Sequence, residues 1–198
     1  DIPLIEDNPY GDLRFEGEAP LPLAARNPEG VLYMGSFSKV LAPGLRLGFV
    51  VAPKSVYGKL VQAKQAADLH TPSFNQRVVA EVMKDGFLAR HIPTIRTLYK
   101  NQRDAMLAAL DQEMVGLGVS WTRPVGGMFL WVQLPEGMDA QKLLPLAVER
   151  GMAFVPGAPF FPGNPQHNCL RLSYVTVPPA QIAQGIAALA AAIKAYAQ

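Results

Sequence analysis

The sequence predicts an α/β sheet followed by an α+β domain. Short continuous apolar runs early in the chain each stop at turn residues, which suits strands buried on both faces. A long middle stretch then carries helical apolar spacing. After Gly116 the pattern resets to a hairpin, further short strands and closing helices.

The elements follow in order. Pro3-Leu4-Ile5-Glu6 reads as a strand ended by Asp7-Asn8-Pro9, with a Pro- and Gly-rich loop running on through Gly30. Val31-Leu32-Tyr33-Met34 is a second strand, closing on Gly35-Ser36-Phe37-Ser38-Lys39, and Leu47 to Ala52 a third, stopped by Pro53. From Ser55 to about His70 the apolar positions Val56, Leu60, Val61, Ala63 and Ala67 take helical spacing. Ser73 is placed to N-cap a helix reaching Lys84, with Gly86 beyond its end. A longer helix is expected from Pro93, a residue suited to a first turn, to Gln112. Val119-Ser120-Trp121 and Phe129 to Val132 form a hairpin around Pro124 to Gly127. Asp139 caps a helix from Ala140 to Arg150. Strands at Ala153 to Pro156 and Cys169 to Tyr174 precede a helix from Pro179 to Tyr196. A domain boundary is expected inside the long helix, dividing residues 1–99 from 100–198.

Of the 198 residues, 49% are hydrophobic and 17% charged, enough apolar material for a packed core rather than a disordered chain. The formal charge of +2, without a Lys/Arg cluster, argues against a nucleic-acid or anionic-membrane surface. The single cysteine, Cys169, excludes an intramolecular disulfide or thiolate zinc cluster and fits a reducing cytoplasm. His70, His91 and His167 lack metal-ligand spacing, so no metal site is expected. No apolar run approaches bilayer length and no signal peptide is visible. The chain opens at Asp1-Ile2-Pro3 without methionine, so a preceding segment is expected.

The densest polar cluster is Ser36-Phe37-Ser38-Lys39 with Arg46 beyond it, at the end of an apolar strand. Ligands gather at carboxyl ends of strands in such sheets. Hydroxyls, an ammonium and a guanidinium there can hold a phosphate, Arg46 supplying a bidentate fork. A lysine partly desolvated at the lip of a buried sheet holds its amine closer to the neutral, nucleophilic form that Schiff-base chemistry requires. A polar strand-end loop with an exposed lysine accounts for the same residues. Asp7-Asn8-Pro9-Tyr10 lies at another strand's end: Asp7 can pair with a ring N–H⁺ and Tyr10 can donate to a phenolate oxygen beside it. An Asx turn with a packed tyrosine is the plainer alternative. Arg171, flanked by Leu170 and Leu172, calls for an anion, either a ligand carboxylate or a structural Asp or Glu. Trp121 and Trp131 read as core, and Gly126-Gly127 as a tight turn.

In order and spacing, Glu6 to Gly11, Gly35 to Lys39 with Ala42 to Gly48, Gly126 to Trp131, Phe154 to Gly157 and Arg171 to Tyr174 together resemble the fold-type I pyridoxal-phosphate aminotransferases. The likeness is to the 2-aminoadipate, kynurenine, aromatic and branched-chain branch. It implies a cytoplasmic homodimer that moves an amino group from an amino acid to a 2-oxo acid, often 2-oxoglutarate. It also implies roles. Lys39 would carry the cofactor as a Schiff base and shuttle the proton, and Asp7 would keep the pyridine nitrogen protonated. Tyr10 would hydrogen-bond O3′, Ser36, Ser38 and Arg46 would bind the phosphate, and Arg171 would grip the substrate α-carboxylate.

By the same resemblance, residues 1–99 are the later part of a large-domain sheet, its third strand antiparallel, and residues 100–198 the small domain. The family's glycine-rich phosphate loop, stacking ring and O3′-binding Asn have no counterpart here, so these residues alone are expected to bind cofactor weakly and not turn over. Ser36-x-x-Lys39 also matches the penicillin-recognising hydrolases, but neither Lys-Thr-Gly nor Ser-Asp-Asn occurs. A second reading is the cofactor-sensing domain of regulators that fuse such a chain to a helix-turn-helix. Asp7 to Gly11 and the Ala42 to Gly44 turn look more like the enzymes.

Overall fold

The computed structural model describes residues 2–196 as a mixed α/β chain. They fall into two compact units divided between Arg96 and Thr97, inside one long helix. The first unit holds a sheet of β1 (Leu4–Asp7), β2 (Val31–Ser36) and β3 (Gly48–Val51), with β2 in the middle. β1 runs parallel to β2, and β3 antiparallel, as the resemblance implied.

The short helix α1 (Leu23–Arg26) follows β1, and the Glu6 carboxylate accepts the Ala24 N–H at its start (3.0 Å). Helices α2 (Lys54–Asp68) and α3 (Ser73–Met83) come after β3, and α4 (Phe87–Glu113) crosses into the second unit.

The first unit departs from the sequence reading at three places. Its strands are not buried on both faces: Ile5 and Val50, which share one face, and Val51 on the other stay half or more exposed. Pro72, not Ser73, occupies the N-cap of α3, and no side chain caps it. Pro93 lies well inside α4 instead of opening it. Asp85 and Gly86, both at positive φ, end the preceding turn and let the helix restart at Phe87. Without an amide hydrogen, Pro93 forgoes one rung of the helical ladder.

The second unit is built on a sheet ordered β4 (Ser120–Trp121), β5 (Phe129–Gln133), β7 (Cys169–Ser173), β6 (Val155–Pro156), every neighbouring pair antiparallel. Alternation sorts its two faces. Leu130, Val132, Leu170 and Leu172 are buried on one, while Phe129, Trp131, Arg171 and Ser173 share the other. The core adds Met106, Leu107 and Leu110 of α4, Leu143 and Ala147 of α5 (Ala140–Val148), and Ile182, Ile186, Leu189 and Ile193 of α6 (Pro179–Tyr196). Asp139 caps α5 as expected, its carboxylate accepting the Gln141 N–H at 2.8 Å.

Tyr174 is fully buried and its hydroxyl donates to the Gly126 carbonyl at 3.0 Å, tying the end of β7 to the turn that launches β5. Burial pushes this hydroxyl's pKa well up; the Arg103 charge opposes that and Tyr99 adds to it.

Two stability outcomes follow. Replacing Asp139 with Ala removes the α5 cap and lowers unfolding free energy by about 1 kcal/mol, seen as a lower Tm in thermal melts; an unchanged melt would contradict the cap. The Tyr174 contribution is fully present below the ordinary tyrosine value of about 10 and is lost as pH rises through its raised folded value, because the unfolded chain gives up the proton first. Unfolding between pH 9 and roughly 11 should therefore show an alkaline decline that Tyr174→Phe flattens. An equal decline in both proteins would be the contrary result.

Candidate active site

The first unit brings its predicted site residues to the carboxyl ends of β1 and β2. Asp7 closes β1 opposite Met34, and Ser36 stands two residues further along β2, so strand alternation gives both the same face. The Asp7 carboxyl is exposed. Asn8 continues the ladder through its N–H to the Met34 carbonyl (3.0 Å), and its side-chain amide donates to the Tyr33 hydroxyl (3.2 Å). That anchor fixes the turn from which Tyr10 projects. Gly11 follows because a Cβ there would fall 2.5–2.8 Å from the Asn8 side chain. Sequence reading put Asn8 in the Asx turn and assigned it no anchoring role; its polar type beside Asp7 was the available signal.

Beyond β2 the chain turns sharply, with the Leu41 and Ala42 N–H groups both donating to the Phe37 carbonyl. The Ser36 hydroxyl accepts the Ser38 N–H at 3.1 Å. This turn half-buries Lys39 and sets its Nζ 5.7 Å from the centre of the Tyr10 ring. The amine therefore lies against an aromatic face, within reach of cation–π attraction.

Arg46 returns to the same strand end because Phe37 donates to the Leu47 carbonyl (3.1 Å) and Gly48 pairs with Ser36. It takes a left-handed backbone (φ 52°, ψ 40°) after the tight turn Pro43–Leu45. Arg46 is exposed, and its guanidinium donates to the Pro43 carbonyl at 3.3 Å. Asn75 of α3 braces this turn by donating to the Leu45 carbonyl (3.0 Å). A separate recess of about 390 Å³ is lined by Tyr33, Gly35 and Phe49, on the strand face opposite Asp7, and shares Ser36 with the cluster.

These groups suit pyridoxal phosphate: a carboxylate to accept from a protonated ring nitrogen, a phenol near an amine, and hydroxyls with a guanidinium for a dianion. The stiff donor is Arg46, whose planar fork matches phosphate geometry.

Arg171 stands on the second unit's sheet, opposite Trp131 on β5 and Val155 on β6. No carboxylate among the described residues lies within 4.0 Å of it. Instead its guanidinium carbon sits 4.1 Å from the Phe129 ring centre and 4.8 Å from that of Phe160. A recess of about 180 Å³ beside it is lined by Phe129, Ala153, Phe154, Val155 and Ser173. Trp131 is not core, contrary to expectation: it is half-buried and meets Phe160 edge-on at 5.8 Å. Phe160 escaped the sequence reading because it lies in a Pro-rich loop with no periodic pattern.

Among the described residues, no group of three or more His, Cys, Asp or Glu is placed to hold a metal ion, and no helix is long and apolar enough to cross a membrane.

Comparison with known proteins supplies the family. The model of aminotransferase class I and II matches residues 1–189. The 2-aminoadipate transaminase of Thermus thermophilus is 50% identical over 96% of this chain and 49% of its own length. The aromatic-amino-acid aminotransferase 1 of Thermococcus litoralis is 47% identical over 98% and 46%. Among solved structures, the kynurenine aminotransferase of Pyrococcus horikoshii, in complex with PMP, superposes with a TM-score of 0.93 at 43% identity, covering 99% of this chain and 48% of that one. An uncharacterized HTH-type transcriptional regulator of Bacillus subtilis also matches, 33% identical over 96% of this chain and 39% of its length. The chain thus spans about half the length of the relatives it matches, and it belongs to the class I and II aminotransferases.

Proposed function

We propose that this chain is the lysine-bearing part of a pyridoxal-phosphate-dependent aminotransferase. Residues 1–99 form the later part of its cofactor domain and residues 100–198 its small domain. The observation that carries the reading is the Lys39 amine, half-buried over the Tyr10 ring at the strand ends that also present Asp7, Ser36, Ser38 and Arg46. The protein is proposed to be a cytoplasmic homodimer that takes an amino acid as donor and a 2-oxo acid as acceptor, 2-oxoglutarate first among them.

Pyridoxal phosphate, when bound, supplies an electron-withdrawing ring that stabilises negative charge at the substrate Cα. Asp7 holds a proton on the ring nitrogen, which keeps the ring electron-poor. Tyr10 donates a hydrogen bond to O3′. Ser36, Ser38 and Arg46 hold the phosphate and so fix where the ring lies. Lys39 would hold the cofactor through its amine, and the same amine would move the proton at the substrate Cα. Arg171 binds the α-carboxylate and so orients the Cα–H bond.

A second reading, a cofactor-sensing domain fused to a helix-turn-helix, draws on the regulator relative. A protein of that kind would bind pyridoxal phosphate through Lys39 without turnover.

In the intact protein, Lys39→Ala abolishes the visible absorbance of lysine-bound cofactor and reduces transamination to background. Undiminished absorbance would refute the assignment. Arg171→Gln removes a charge-assisted pair and raises KM for donor and acceptor by roughly 10- to 100-fold, with cofactor binding largely retained. Unchanged KM values would remove Arg171 from the carboxylate site.

A further inference from the structure

Two aromatic rings meet the Arg171 guanidinium. Its carbon lies over the Phe129 ring at 4.1 Å from the centre and over the Phe160 ring at 4.8 Å. Ring faces accept no directed hydrogen bond as good as a carboxylate oxygen, so these contacts hold the cation while leaving its N–H donors for an anion. They also remove the rotamers a long side chain would otherwise have to lose on binding its ligand.

The two rings reach this position by different routes. Phe129 is on the neighbouring strand, diagonal to Arg171 and on the same face. Phe160 ends the tight turn Ala158–Phe160, and that turn is pinned to the sheet by Gly157. The Gly157 N–H donates to the Cys169 carbonyl at 2.7 Å, and a Cβ at Gly157 would fall 2.7 Å from the Cys169 Cβ and 2.8 Å from the Trp131 ring. Only a residue without a side chain lets the turn come this close. Trp131 then braces Phe160 edge-on at 5.8 Å. Phe160 remains 49% exposed, so packing alone gives little reason for a large ring there.

We propose that Phe160, braced by Trp131 and the Gly157 turn, acts with Phe129 as a positioning clamp that holds the Arg171 guanidinium in place and sets the affinity of the site for the carboxylate of its substrates. The clamp rests on the carboxylate-binding role proposed for Arg171.

The test uses the intact, cofactor-loaded protein with two readouts: steady-state kinetics and calorimetric binding of glutarate, a dicarboxylate with no amine to react. Phe160→Leu raises KM for donor and acceptor together by roughly five- to thirtyfold, the range of a partly desolvated cation–π contact, and weakens glutarate by the same factor. The effect falls on KM rather than on kcat, and Phe160→Tyr, which keeps the ring, restores binding. In an Arg171→Gln background, Phe160→Leu adds almost nothing. Phe129→Leu reads the other ring in the same way should Phe160→Leu fold poorly. Unchanged KM and glutarate affinity in both leucine variants, or a loss that persists undiminished without Arg171, would overturn the clamp. Glutarate binding that depends on Phe160 in a protein with no transamination would sustain the clamp while removing the proposed reaction.

Discussion

The approach of the Lys39 amine to the Tyr10 ring is the contact on which the rest depends, and strand register produces it. Parallel pairing of Leu4–Asp7 with Val31–Ser36 brings the ends of two chain segments side by side although the sequence separates them by a long loop. Shifting that pairing by one residue would turn Asp7 to the opposite face and part it from Ser36. The register is held past the last strand residue by the Asn8 N–H on Met34 and by the Asn8 amide on Tyr33. Packing, capping and turn geometry around it serve to keep one amine and one phenol in reach of each other.

The same strand end stores strain where an anion would be held. Arg46 adopts a left-handed backbone that an unbranched non-glycine residue reaches only at a cost of order 1–2 kcal/mol. The Pro43–Leu45 turn, the Asn75 brace and the antiparallel return of β3 impose it. Arg171 shows another solution to the same problem. There an arginine on a regular strand is fixed by aromatic surfaces, and backbone strain plays no part.

Much of this was legible in the sequence. Continuous apolar runs located β1, β2 and β3, helical spacing located α2, and Asp139 marked the start of α5. Lys39, Asp7, Tyr10, Ser36, Ser38 and Arg46 stood out as polar residues at strand ends, which is where the fold places them. Other features depend on tertiary context. An apolar run signals a strand but cannot say what covers it, so the exposure of Ile5, Val50 and Val51 was hidden. Pro93 suits a first turn locally, yet the positive φ at Asp85 and Gly86 moved the helix start upstream. Phe160 reaches Arg171 only through a turn pinned by Gly157, and no periodicity encodes such a contact.

The identity of one nitrogen atom decides the assignment, and it can be read chemically. Borohydride treatment of the intact protein loaded with pyridoxal phosphate, followed by proteolysis and mass spectrometry, locates the amine that bonds to the cofactor. A single phosphopyridoxyl adduct on Lys39 is the expected result. An adduct on any other lysine, or none in a protein that retains the cofactor, would remove Lys39 from that role.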